Sequence, residues 1–237
     1  MENLREKIVK AGTLYLVSTP IGNLGDITLR ALRVLEDVDL IAAEDTRKTR
    51  LLLQRHRITK YMTSYHDHNK ETRSPSLLKK LLGGKSVALT SDAGTPGISD
   101  PAFYLVRLAI EHGIPVVPVP GPTALISALI VSGLPPDRFA FEGFLPTKSG
   151  RRRARLQSLV DEERTILFFE SPHRLKRALE DILEIMGDRR VAVARELTKK
   201  FEEVARGSVA QLLDHFGEKR IRGEVVIVLA GCSAQKS

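Results

Sequence analysis

Short, nearly uninterrupted apolar runs recur along the chain, and each is followed by a turn and then by an amphipathic stretch. In the first half these runs cover residues 13–17, 38–43, 86–90 and 114–119, with a weaker one at 61–64. A run without polar alternation is typical of a strand buried on both faces of a parallel sheet. Because the runs alternate with helical patterns, we predict an α/β fold with right-handed crossovers.

The same alternation starts again after residue 122, with strands that are more closely spaced. We predict these later strands at residues 139–144, 165–169, 190–194, 203–206 and 224–229. Parallel neighbours need a long crossover between them, whereas antiparallel neighbours do not. The short spacing of the last three strands therefore indicates some antiparallel pairing and a mixed sheet.

This restart divides the chain into two predicted domains. Residues 12–120 form an N-terminal α/β domain with a mainly parallel sheet, and residues 121–232 form a C-terminal α/β domain with a mixed sheet. Tails at residues 1–11 and 233–237 flank them. The first tail lacks the apolar segment of a signal peptide, and the longest apolar run, residues 225–230, is too short to cross a bilayer. We therefore expect a cytoplasmic protein without a membrane partner.

Positive charge is in excess and is locally concentrated. The 237 residues include 37 Lys and Arg against 29 Asp and Glu, a formal net charge of +8. Two stretches, residues 46–60 and 147–155, contain no acidic residue. An excess of this kind favours a polyanionic partner, although a charge run is more often a solvated helix face. We predict that 151–153 lies in a loop and that the RNA-binding residues are Arg47, Lys48, Lys148, Arg151, Arg152 and Arg153.

Several classes of protein are excluded by what the sequence lacks. The single cysteine, Cys232, excludes an intrachain disulfide framework and a cysteine-cluster zinc site. His66 and His68, with Asp67 between them, have no third ligand at a recognisable spacing, so we expect no metal. The usual fingerprints of dinucleotide oxidoreductases, P-loop ATPases, zinc proteases and serine hydrolases are absent. The absence of tryptophan argues against an aromatic base-stacking sheet.

Glycine, proline and small polar residues cluster where the predicted strands end. Open α/β sheets bind ligands beyond the carboxyl ends of their strands. Residues 91–101, SDAGTPGISDP, form a loop longer than the about 2–6 residues that a minimal connection needs, and Asp92 begins it. Residues 18–26 and 120–127 are similar in composition. Instead of binding a ligand, residues 18–26 could form a capped turn and residues 120–127 an interdomain turn. Charged clusters, which are often merely solvated, follow four other strands at 44–47, 64–69, 170–174 and 195–199.

These motifs, in chain order, resemble the tetrapyrrole methylase superfamily, and most closely its subgroup of small-subunit ribosomal RNA methyltransferases. The resemblance covers residues 12–231 and rests on LYLVSTPIGNLGDITLRAL, IAAEDTR, SYHDHN, LTSDAGTPGISDPA, PVPGPTALISAL, FEGFLP, FFESPHR and ARELTK. DAGTP followed by ISDP is specific to the subgroup. One departure is Ala102, which follows the last proline of that motif where the family usually has glycine.

The resemblance implies a fold, a reaction and a site. It implies two α/β lobes with the cofactor in the cleft between them, a homodimer, and no metal. The implied reaction transfers a methyl group from S-adenosylmethionine to the ribose 2′-oxygen of a decoding-centre cytidine of 16S rRNA within the 30S subunit. The implied cofactor-binding residues are Pro20, Ile21, Asp92, Gly94, Thr95, Ile98, Thr123, Ala124, Phe169 and Glu224.

A ribose hydroxyl is a weak nucleophile, so this chemistry calls for a base or for a cation that stabilises the developing alkoxide. The candidate catalytic residues are Glu44, Asp45, His66, Glu196 and Lys199, and the sequence does not choose among them. A lysine whose pKa is lowered is attractive because it can accept a proton.

Two other functions stay open from the sequence. A small-molecule tetrapyrrole methylase would share the donor loops, and an RNA-binding assembly factor without catalytic activity would share the fold. The basic excess favours RNA over a tetrapyrrole, and the intact SDAGTPGISDP loop favours catalysis over assembly alone.

Overall fold

The computed structural model describes residues 8–217 and 221–232. The chain divides between Thr123 and Ala124 into two compact units, called here the first and the second unit. Within the described ranges no helix has the length and apolar character needed to cross a membrane.

The first unit is built on a five-stranded sheet in which every neighbouring pair is parallel. Its strands are β1 (Leu14–Val17), β2 (Leu40–Ala43), β3 (Met62–Ser64), β4 (Val87–Thr90) and β5 (Val116–Val119), in the order β3-β2-β4-β1-β5. Its helices are α1 (Leu29–Asp37), α2 (Thr46–Arg55), α3 (Lys70–Leu82) and α4 (Ala102–Glu111). Helices α1 and α2 pack on one face, and α3 and α4 on the other. Burial on both faces explains the uninterrupted apolar runs.

The second unit contains a mixed five-stranded sheet in the order β6-β7-β10-β8-β9. Its elements, in chain order, are α5 (Ala124–Ser132), β6 (Phe139–Phe144), α6 (Ser149–Gln157), β7 (Thr165–Glu170), α7 (Leu175–Met186), β8 (Arg190–Arg195), β9 (Glu203–Ser208), α8 (Val209–Gly217) and β10 (Val225–Leu229). Strands β6 and β7 pair in parallel, whereas the pairs β7–β10, β10–β8 and β8–β9 are antiparallel. Helices α6, α7 and α8 cover one face, and α5 covers the other.

The predicted fold class is confirmed, with a parallel sheet first and a mixed sheet second. The prediction that residues 151–153 lie in a loop is wrong, because these arginines belong to α6. Arginine, alanine, leucine and glutamine are strong helix formers, and together they outweigh the single glycine of the first turn.

Candidate functional site

The loops that follow β1, β4 and β5 meet at the carboxyl edge of the first sheet. The backbone N–H of Thr19 donates to the Gly94 carbonyl at 2.9 Å, and the N–H of Gly94 donates to the Thr19 carbonyl at 3.0 Å. The Thr95 hydroxyl donates to the Pro122 carbonyl at 3.1 Å and lies 2.9 Å from the Ser18 hydroxyl. Three of the predicted loops therefore form one connected structure.

Gly94 allows this close approach. Its φ is +80°, a backbone conformation that residues with a Cβ rarely adopt. A Cβ at this position would lie 3.2 Å from Ile21 Cγ2 and 3.5 Å from the Pro122 carbonyl oxygen. Glycine therefore holds the loop after β4 against the other two loops.

Asp92 and Glu44 follow β4 and β2, which are neighbours in the sheet, so their side chains come together. The Asp92 N–H donates to Glu44 Oε2 at 2.9 Å, and Lys48 Nζ lies 2.7 Å from Asp92 Oδ2. Asp92 Oδ1 is buried and has no hydrogen-bond partner among the described residues. A buried acceptor without a partner is costly, so this oxygen is suited to a hydroxyl or amine of a ligand.

The surroundings of Glu44 favour its protonated form. Burial raises the pKa of the Glu44 carboxyl, and the negative charges of Asp92 and Asp100 add to this effect, while the hydrogen bond from the Asp92 N–H opposes it. Lys48, one of the predicted RNA-binding residues, directs its ammonium to the Asp92 carboxylate.

Asp45 has a structural role that explains its place in the motif. Its carboxylate caps α2 by accepting from the Arg47 N–H at 2.8 Å, and it also pairs with the Arg47 guanidinium at 2.7 Å. Side-chain and backbone hydrogen bonds from Arg47 hold the pKa of Asp45 well below its usual range. A carboxylate held in this way is a weak base.

His66 is fixed by Asn69. The Asn69 amide nitrogen donates to the Ser64 carbonyl at 3.3 Å and lies 3.1 Å from His66 Nε2. In this amide orientation His66 Nε2 is the acceptor, which leaves the ring proton on Nδ1. Nδ1 is buried and has no partner among the described residues.

Nowhere in residues 8–217 and 221–232 do three or more His, Cys, Asp or Glu side chains form a group that could hold a metal ion.

Glu196, Lys199 and Glu224 form a second cluster, in the second unit, at the adjacent ends of β8 and β10. Lys199 Nζ lies 2.9 Å from Glu196 Oε1 and 3.4 Å from Glu224 Oε2. The Glu196 N–H donates to the Glu224 carbonyl at 3.1 Å. Glu196 and Thr198 have φ values of +49° and +66°, so the turn after β8 is strained. Non-glycine residues in this region are often found at functional sites.

The expectation that Lys199 has a lowered pKa is wrong. Burial does lower it, but the hydrogen bond to Glu196 and the charges of Glu224 and Glu196 outweigh burial, and the pKa of Lys199 is raised. Lys199 therefore stays protonated at neutral pH and is a cation rather than a base.

The packing around Glu196 depends on Gly223. Its φ is +86°, and a Cβ there would lie 1.9 Å from Glu196 Oε1. Any side chain at residue 223 would displace the carboxylate that holds Lys199.

The other predicted cofactor residues occupy varied positions. In the first unit Pro20 and Ile21 are buried, whereas Ile98 is exposed. In the second unit Ala124 begins α5, and the Phe169 ring lies 4.9 Å from that of Phe141.

The basic residues of α6 differ strongly in environment. Arg152 is buried, with its Nε 2.6 Å from Asp181 Oδ2 on α7. Arg153 pairs with Asp181 at 2.9 Å and also with Glu184. Residues 147–155 contain no acidic residue, but α7 supplies the carboxylates that neutralise Arg152 and Arg153. Arg151 and Lys148 are exposed.

Glu170 is a buried charged residue that was not among the predicted site residues. It ends β7, is 2% exposed, and pairs with Arg174 at 2.5 Å. Burial raises the pKa of Glu170, and its Oε2 has no hydrogen-bond partner among the described residues. The signal in the sequence was the charged cluster that follows the apolar run 165–169.

Comparison with known proteins gives a consistent set of relatives. The family described as Tetrapyrrole (Corrin/Porphyrin) Methylases matches residues 13–213. A protein of Synechocystis sp. named Ribosomal RNA small subunit methyltransferase I is 54% identical over 225 residues, which cover 94% of this chain and 81% of the relative. A protein of the same name from Thermotoga maritima is 53% identical over 220 residues, covering 93% and 99%.

Solved structures share the fold at lower identity. Uroporphyrin-III-C-methyltransferase from Thermus thermophilus has a TM-score of 0.65 and 22% identity, covering 94% of this chain and 96% of that one. A cobalt precorrin-4 methyltransferase of cobalamin biosynthesis has a TM-score of 0.65 and 21% identity, covering 94% and 98%.

Proposed function

Since the chain belongs to the tetrapyrrole methylase family and to its group of small-subunit ribosomal RNA methyltransferases, we propose that it methylates 16S rRNA with S-adenosylmethionine as donor. The acceptor we propose is the ribose 2′-oxygen of a decoding-centre cytidine. We further propose that the enzyme is a homodimer that acts on the 30S subunit in the cytoplasm.

The observation that carries the proposal is the unpartnered Asp92 Oδ1 beside the three joined loops. S-adenosylmethionine carries hydroxyl and amine donors, and one buried carboxylate oxygen is available for such a group. The residues that would hold the donor in the first unit are Pro20, Ile21, Asp92, Gly94, Thr95, Ile98 and Thr123. The family resemblance also implies Ala124, Phe169 and Glu224, which belong to the second unit.

In the reaction, the ribose oxygen forms a bond to the methyl carbon, the carbon–sulfur bond breaks, and the hydroxyl proton leaves. Bound S-adenosylmethionine supplies a methyl group that its sulfonium already activates. The protein must therefore align the oxygen and stabilise the charge that develops on it. We assign that stabilisation to the protonated Lys199, with Glu196 as the residue that positions it.

The other candidates fit catalysis less well in this structure. Asp45 is occupied by Arg47, and the Glu44 carboxylate accepts the Asp92 N–H. Glu44, whose surroundings favour uptake of a proton, is kept as the candidate group that receives the ribose proton, because the lone pair of His66 Nε2 is already engaged by the Asn69 amide.

Lys199→Met is expected to lower the methyl-transfer rate by about 10²–10³-fold, because it removes the cation to which we assign stabilisation of the developing charge. S-adenosylmethionine affinity, measured by calorimetry, should stay within twofold of wild type. Lys199→Arg should restore part of the rate, and Lys200→Met serves as the neighbouring control. A Lys199→Met enzyme that turns over at more than a tenth of the wild-type rate would contradict the assignment.

The substrate is tested by offering radiolabelled S-adenosylmethionine with 30S subunits, deproteinised 16S rRNA or a porphyrinoid. We expect the fastest transfer to 30S subunits, and mass spectrometry of nuclease fragments should place the methyl group on one ribose. Transfer to the porphyrinoid alone would support the small-molecule alternative. Donor binding without transfer to any acceptor would support an assembly factor. Light scattering at the assay concentration tests the homodimer.

For RNA contact we keep Arg47, Lys148, Arg151 and Arg153, and we assign Arg152 to the core and Lys48 to the donor loop. The Lys148→Ala/Arg151→Ala variant should flatten the dependence of log K on log salt for rRNA binding by about 0.7–0.9 per lost contact. Lys79→Ala/Lys80→Ala, two exposed lysines of α3, is the matched control. An unchanged slope would mean that these side chains face only solvent.

A further inference from the structure

A groove of 410 Å³ runs along α2 in the first unit. Its lining includes Thr46, Arg50 and Gln54 of α2 together with Lys60 and Tyr61, which lead into β3. Its volume is within the ~300–1,000 Å³ of ordinary ligand pockets. Neither the donor loops nor the cluster around Lys199 includes these residues.

The groove begins at the candidate site. Thr46 is the first residue of α2 and directly follows Asp45, at the carboxyl edge of the sheet where Glu44 and Asp92 meet. Residues 46, 50 and 54 are spaced by four and share one helix face. A ten-residue helix is about 15 Å long, so the groove leads from the candidate site towards the start of β3.

The charge around the groove is positive and is not neutralised locally. Residues 46–66 contain six Lys and Arg side chains and no Asp or Glu. Arg47 and Lys48 pair with carboxylates, but Arg50 and Lys60 form no ion pair within the part of the chain that the structure describes. Two unneutralised cations in the lining of one groove attract an anion.

Tyr61 adds an aromatic surface beside these cations. It is 70% exposed, although its backbone is held at the sheet by the Ile41 N–H, which donates to its carbonyl at 3.1 Å. An exposed ring on a held backbone, in a groove whose lining also includes two cations, has the chemistry of a site for single-stranded nucleic acid, where bases stack and phosphates pair.

We propose that this groove binds an unpaired ribonucleotide of the RNA substrate a few nucleotides away from the methylated one. Its base stacks on Tyr61, and its flanking phosphates pair with Arg50 and Lys60. This inference rests on the proposed function, since it places a second nucleotide of the same RNA.

The test uses the full-length protein with Tyr61→Ala, Tyr61→Phe and Arg50→Ala/Lys60→Ala. The probes are a fluorescently labelled single-stranded RNA with the sequence around the target cytidine, and 30S subunits in the methyl-transfer assay. Tyr61→Ala should weaken RNA binding by about 5- to 150-fold, the range for loss of one stacked base, and Tyr61→Phe should bind like wild type. Arg50→Ala/Lys60→Ala should lower the salt slope by about 0.7 for each lost contact. S-adenosylmethionine affinity should not change in any variant.

Different results would contradict the RNA-binding groove and the proposed function. Wild-type methylation of rRNA together with unaltered RNA binding by all three variants would overturn the groove and leave the proposed function intact. A wild-type protein that binds the donor but neither binds nor methylates RNA would overturn both. Variants that change the oligomeric state and leave RNA affinity unaltered would overturn the groove in favour of contact with a second copy. Lys79→Ala/Lys80→Ala again controls for loss of positive charge elsewhere.

Discussion

Replacing Asp92 with alanine is expected to weaken S-adenosylmethionine binding by about 10- to 100-fold while the first unit stays folded. The change removes the buried Oδ1 that has no partner among the described residues and the carboxylate that pairs with Lys48. A hydrogen bond to a charged group contributes about 1.5–3 kcal/mol, which sets the size of the effect. Calorimetric titration with S-adenosylmethionine measures it, and circular dichroism checks the fold.

The Asp92→Asn variant separates the effect of losing the charge from the effect of losing the acceptor oxygen. Asparagine keeps an acceptor oxygen but loses the charge, so its affinity should lie between those of wild type and Asp92→Ala. Asp67→Ala, which removes an exposed aspartate paired with Lys70, is the control and should bind normally. If Asp92→Ala binds the donor as tightly as Asp67→Ala does, the donor site lies elsewhere.

Asp181→Ala is expected to destabilise the second unit by about 3–5 kcal/mol, because it leaves the buried guanidinium of Arg152 without a carboxylate. The Asp181 side chain is 10% exposed and the Arg152 side chain 7%, so water cannot replace the lost partner. Differential scanning calorimetry and urea unfolding measure the loss.

Two further variants distinguish a buried pair from a surface one. The double variant Arg152→Met/Asp181→Leu should be more stable than Asp181→Ala, because no unpaired charge remains. Arg151→Met, one residue along the same helix and exposed, should change stability by no more than about 0.5 kcal/mol. Equal stabilities of Asp181→Ala and Arg151→Met would rule out the role given to Arg152.

The sequence could predict which residues meet at the ends of neighbouring strands. Uninterrupted apolar runs predict strands buried in parallel sheets, and the carboxyl ends of such strands share one edge. Asp92 and Glu44 are 48 residues apart, yet both follow parallel neighbours, so their meeting follows from topology.

The environments of individual charges could not be predicted in the same way. The burial of Arg152 depends on Asp181, 29 residues later on a different helix. The raised pKa of Lys199 depends on a balance between burial and pairing, with one partner only three residues away and the other 25 residues away. A run of like charges in the sequence does not show which side chains are buried. The direction of each side chain depends on the helix to which it belongs.

The strand order β3-β2-β4-β1-β5 has a consequence for synthesis of the chain. The first strand to be made, β1, ends between β4 and β5, the last two strands of its sheet. At about 5–20 residues per second, the about 100 residues that separate β1 from the end of β5 take about 5–20 s to translate. Both edges of β1 lack their partners until β4 has been made, and the second edge lacks its partner until β5 has been made. The three loops after β1, β4 and β5 can join only when residues up to 123 have been made, so a shorter nascent chain cannot form the candidate site in this way.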